Sequence, residues 1–104
     1  MTRHKATPAI PPPGHLQPSS AGFWAEIQSD YQVTDAAGLR LLQAACEALD
    51  TAEAARLAIA EFGQTFVDRL GNPRPRPEVQ IQRNALLTYA RLVRELQLDP
   101  PGTK

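Results

Sequence analysis

Apolar positions recur at steps of three and four along three stretches of this chain, and at steps of two along one short stretch before the last of them. Phe23, Trp24, Ile27 and Tyr31 share one face of a short helix beginning near Pro18. A proline suits that first turn because its missing N–H would find no partner there. Leu39, Leu42, Cys46, Leu49, Ala52, Ala55, Ile59 and Phe62 resume the rhythm after "VTDAAGLRLL", where Thr34 is the expected N-cap and Asp35 favours the positive end of the helix dipole. With Gly63 closing the run, the pattern predicts one helix of about 28 residues. Asp50 and Thr51, weaker helix formers among the alanines, mark the one place where that helix could kink or break.

"QTFVDRL" alternates instead. Thr65, Val67 and Arg69 oppose Phe66, Asp68 and Leu70, a short strand closed by a Gly71-Asn72 turn. "PRPRP" returns beside it, and because prolines donate no ladder hydrogen bonds the hairpin is expected to be ragged. The last helix begins at Pro77 or Glu78. Val79, Leu86, Leu87, Ala90, Val93 and Leu96 form its apolar face, Arg83, Arg91 and Arg94 lie away from that face's centre, and Asp99-Pro100-Pro101-Gly102 stops it. The expected fold class is mainly α: three helices with a long central helix and a small β-hairpin before the last helix. Residues 1–15 read as a disordered, proline-rich basic tail, and residues 16–101 as one helical domain.

Length makes this picture precarious. A domain of 104 residues buries a modest share of its surface and gains from outside help. Cys46 is the only cysteine, so no internal disulfide supplies it, and His4 and His15 have no second ligand pair in register for zinc. Self-association is the simplest help left. No apolar run approaches the roughly 18 residues of a membrane helix, and "MTRHKATPAIPPPGHLQP" lacks the hydrophobic core of an export signal. A cytoplasmic protein without a membrane partner is expected.

Charge adds a polarity. The net charge is zero, yet residues 1–17 carry Arg3 and Lys5 (+2), residues 18–68 hold two arginines against eight carboxylates (−6), and residues 69–104 hold six arginines and Lys104 against three carboxylates (+4). Such segregation points to a basic face for an anionic partner or to a head-to-tail match between copies.

No arrangement suggests catalysis, a metal or a cofactor. Ser19 and Ser20 lie near His15 without an orienting acid in the sequence around them. Glu47, Asp50 and Glu53 read as carboxylates on a solvated helix face, with no histidine joining them, and no glycine-rich phosphate loop exists. The arginines are more suggestive. Arg74 and Arg76 alternate with Pro73, Pro75 and Pro77, so a stiff segment would present them at fixed separation, with Arg83 following in the next helix. Guanidinium groups held this way lose less entropy on meeting phosphates and grip them as a fork. Two other readings stand beside this one: a solvated linker, or arginines that meet the acidic middle helix of an adjacent copy. Aromatic residues are too few for a base-stacking platform, and the long acidic second helix does not suit a DNA groove.

The order "PPGHLQPSSAGFWAEI", "YQVTDAAGLRLLQAACEAL", "EFGQTFVDRLGNPRPRPEVQIQRNALLTYARLVRELQLDP" resembles the small subunit of phage terminase, in the family with a proline-hinged C-terminal helix. The opening around His15, Leu16, Pro18, Phe23 and Trp24, the helix start Val33-Thr34-Asp35-Ala36 and the closing Leu92 to Pro100 carry the likeness. It implies a non-catalytic packaging factor in the bacterial host cytoplasm that assembles into a ring, binds double-stranded viral DNA and recruits and regulates the large ATPase–nuclease subunit. On that expectation Arg3, Lys5, Arg74, Arg76 and Arg83 contact DNA, and Leu42, Cys46, Leu49, Ile59 and Phe62 contact neighbouring copies. The competing expectation is a DNA-independent helical oligomerisation or adaptor module.

Overall fold

The computed structural model describes residues 10–98. Helix α1 (Pro18–Tyr31) leads into the long α2 (Ala36–Phe62), a hairpin of β1 (Thr65–Val67) and β2 (Pro73–Pro75) follows, and α3 (Pro77–Leu96) runs back along α2. The chain is mainly α, with the expected three helices, long central helix and small hairpin. At 1.5 Å per residue α2 is about 40 Å long. Arg76 sits over the Phe62 ring at one end of α2, while Leu96 and Leu98 reach the Leu42 cluster near the other, so α2 and α3 are antiparallel.

The three helix starts use two chemistries. Pro18 and Pro77 open α1 and α3 in first-turn positions, without side-chain caps. At α2 the cap is Asp35 rather than Thr34: Asp35 is extended, and its carboxylate accepts the Gly38 N–H at 2.8 Å. Gly38 is buried there, and the site suits glycine because a Cβ would lie 2.7 Å from Asp35 Oδ1 and 2.8 Å from Val33 Cγ1. The helix does not break at Asp50 and Thr51, and α2 is continuous through both. Its end is fixed by Gly63, whose φ of 85° and ψ of 179° suit glycine almost alone, and whose N–H reaches Ile59 O at 2.7 Å. Gln32 and Gln97, in left-handed conformations, end α1 and α3. The Asp99–Gly102 stop lies outside the described residues.

The core occupies one end of the molecule. Trp24 and Ile27 of α1, Leu16 before it, Val33 after it, and Leu42 and Cys46 of α2 form one buried cluster, with Ile10, Phe23, Leu39, Leu96 and Leu98 packed around it. Phe23 meets Tyr89 of α3 edge-to-face, centroids 5.6 Å apart. Further along, α2 and α3 touch through small residues, Ala52, Ala55 and Ala85 being buried. The expected apolar face of α3 is only half used. Val79, Val93 and Leu96 are partly covered, whereas Leu86, Leu87 and Ala90 are exposed, because a single neighbouring helix covers a narrower arc than a core would.

The strand predicted through Leu70 stops at Val67. Asp68 breaks it by accepting the N–H groups of Leu70 and Asn72, each at 2.9 Å, which folds the chain into its turn. β1 and β2 pair antiparallel, Thr65 with Pro75, Phe66 with Arg74 and Val67 with Pro73. The Arg76 N–H donates inward to Gln64 O at 2.8 Å. Inward and outward donors alternate along a strand, so Pro73, Pro75 and Pro77 fall where an N–H would have faced away from β1. The prolines therefore cost the ladder nothing.

Candidate nucleic-acid interface

The hairpin holds its arginines, but not bare. Asp68 Oδ2 accepts from Arg74 Nε at 2.9 Å while Oδ1 accepts the two turn amides. Backbone hydrogen bonds, that of Asn72 foremost, and then the Arg74 guanidinium hold the Asp68 carboxyl below its ordinary range. Arg74 remains 60% exposed, with one edge of its fork occupied. Arg76 is more confined. Its guanidinium lies 5.0 Å from the centroid of the Phe62 ring, and Nε comes within 3.3 Å of Glu78 Oε1. That approach is an ion pair without hydrogen-bond alignment, since both atoms are buried and make no aligned hydrogen bond. Arg83 stands exposed in the second turn of α3, and no ion pair reaches it among the described residues. Arg3 and Lys5 lie outside the described residues.

A second polar cluster ties the segment before α1 to α2. The expectation that no histidine joins the carboxylates of α2 is overturned: His15 Nε2 lies 2.7 Å from Glu47 Oε2, which also accepts Gln43 Nε2 at 3.0 Å. The hydrogen bond from Gln43, then that from His15, lowers the Glu47 carboxyl below its usual range. The serine likewise has an acid partner. Asp50 accepts the Ser20 hydroxyl at 2.5 Å and the Gln17 N–H at 3.1 Å, and the Trp24 indole N–H donates to Ile10 O at 2.8 Å. Ser20 thus points at Asp50 while His15 points at Glu47. Two separate pairs result, which lash the entering chain and the first turn of α1 to the middle helix. Burial first, then the charges of Asp50 and Glu47, push the Cys46 thiol up to about 11. It stays protonated at neutral pH. Among the described residues no group of three His, Cys, Asp or Glu side chains gathers as a metal site, and no helix is long and apolar enough to cross a membrane.

The residues expected between copies divide sharply. Leu42 and Cys46 are fully buried within the protomer, covered by its own α1 segment, and have no surface left for a second chain. Leu49 and Ile59 are partly covered, and Phe62 is 58% exposed. What local pattern missed was mostly the polar ties. Asp68 announces itself only as an acid ahead of a Gly-Asn turn, and Asp50 and Glu47 meet partners more than thirty positions away.

A family model described as "Phage terminase, small subunit" matches residues 24–103, from within α1 to near the end of the chain. No curated protein and no solved structure matches.

Proposed function

The chain belongs to the phage terminase small-subunit family, and on that premise we propose that it is the non-catalytic, DNA-binding and oligomeric component of a packaging machine. Membership gives it a part in phage DNA packaging, in company with a terminase partner. The finer roles are ours: the protein engages duplex viral DNA in the host cytoplasm, assembles as a ring and recruits and regulates the large ATPase–nuclease subunit.

The observation that carries this reading is the family match over most of the chain, the hairpin and α3 included. Supporting it, Leu57, Phe62, Phe66, Val67 and Leu70 leave apolar surface open around the hairpin end, which suits contact between copies through Phe62 with Leu49 and Ile59. Arg74, Arg76, Arg83 and the tail residues Arg3 and Lys5 supply phosphate contacts. One observation favours the DNA-independent adaptor: Arg74 and Arg76 already answer Asp68 and Glu78 within the protomer.

Anisotropy with nonspecific duplex at low salt, beside light scattering, separates the readings. Expected are binding that weakens steeply as salt rises and a mass of several protomers. A multimer indifferent to duplex favours the adaptor, and a monomer indifferent to duplex removes both.

A further inference from the structure

Five exposed arginines take part in no ion pair among the described residues, Arg40, Arg69, Arg83, Arg91 and Arg94. The last three lie on α3. At 100° per residue they fall, with Leu87, within an arc of about 80°. The inward side of α3, bearing buried Ala85 and partly covered Tyr89, Leu92, Val93 and Leu96, lies opposite. Glu78 and Glu95, the only carboxylates of the helix, fall outside the arc. Its polar neighbours Gln80 and Asn84 are uncharged and bond to each other at 3.0 Å. Charge of one sign therefore runs along a straight helix for about 16 Å, from the second turn to the last.

We propose that this outer face of α3 is the principal phosphate-contacting surface for duplex DNA, with Arg91 and Arg94 joining Arg83, an inference that rests on the packaging function proposed above. Arg74 and Arg76 would have to leave Asp68 or Glu78 before gripping a phosphate with a full fork. Among the described residues the α3 arginines have no such partner. A duplex carries about one negative charge per 1.7 Å of axis counting both strands, so 16 Å of duplex holds about nine phosphates around its circumference, and three guanidinium groups on one side each find one. Contacts of this kind fix orientation and read no bases. Leu87, 62% exposed within the stripe, rests against sugar rather than phosphate.

The test uses the full chain and nonspecific duplex, with the salt dependence of binding as its readout. Replacing Arg83→Gln, Arg91→Gln and Arg94→Gln together flattens the slope of log affinity against log salt by about 2.7 per engaged protomer, and more than Arg74→Ala with Arg76→Ala does. The matching triple change to lysine keeps the slope, which shows that charge and not folding was lost. Leu87→Lys tightens binding several-fold at low salt. An unchanged slope in the glutamine variant overturns this surface while leaving the packaging function standing. So does a Leu87→Lys variant that loses its assembled mass but binds duplex as before, because the face then meets protein. If the unaltered chain ignores duplex at low salt, the DNA-binding function fails and this surface falls with it.

Discussion

The two ends of the α2–α3 pair are built on different terms. At the α1 end a tryptophan, three aliphatic side chains and a thiol close over Leu42, and polar ties from Glu47 and Asp50 hold the lid in place. At the hairpin end no third helix among the described residues covers α2 and α3. Phe62 has an arginine over its ring, Leu70 is 83% exposed, and hydrogen bonds rather than buried area shape the turn. The same pair of helices is thus a finished core at one end and an open platform at the other. The difference teaches where a protomer spends its apolar residues on itself, and where it leaves them for something else.

The sharpest way to break this contrast is at Trp24. Trp24→Ala removes the largest side chain of the closed end and is expected to cost about 3–5 kcal/mol in urea unfolding. Labelling of the Cys46 thiol, slow while α1 stays in place, should then accelerate markedly. Leu70→Ser at the open end should leave protomer stability within about 0.5 kcal/mol. Equal losses at the two sites would mean that the ends are not energetically distinct. A smaller effect is expected at Asp50. Asp50→Ala removes the acceptor of the Gln17 N–H and leaves the Ser20 hydroxyl only its 3.2 Å bond to Gln17 O, with a cost of about 1 kcal/mol and faster amide exchange through the first turn of α1, while the hairpin amides stay as they were.

The mildest effect concerns acid. Because the Glu47 carboxyl is depressed in the folded chain, its contribution is fully present above its unfolded pKa and is lost as pH falls through the lower folded value. Unfolding free energy should therefore decline into the acid range, with a shallower decline in Glu47→Gln. An identical slope in that variant would detach the His15–Glu47 contact from stability.

Much of the architecture was legible because it rests on local rules. Three- and four-residue steps located all three helices, Gly63 marked the end of α2, and a two-step alternation before Gly71 located β1. Adjacent alternatives were harder. Thr34 and Asp35 both have caps to offer, and the choice fell to the residue whose carboxylate could reach Gly38 from an extended backbone. Pattern also overstated α3: Leu86 and Leu87 obey the helical rhythm, but rhythm does not reveal how wide a partner will be. Asp50 seemed a helix weakener, yet it holds Gln17 and Ser20 at the start of α1, a role set by residues 30 and 33 positions away. For the interface, the residue types were readable and their availability was not. Nothing local tells that Leu42 and Cys46 are sealed inside, or that Asp68 and Glu78 would answer the hairpin arginines.

The placement of Pro73, Pro75 and Pro77 has a consequence beyond the hairpin itself. A two-stranded ribbon at an exposed tip is a template on which further strands could grow, and neighbouring tips would multiply the hazard. Here one flank offers no amide hydrogens to an incoming strand, so open-ended fibre growth is blocked on that side, and only β1 can accept an added strand.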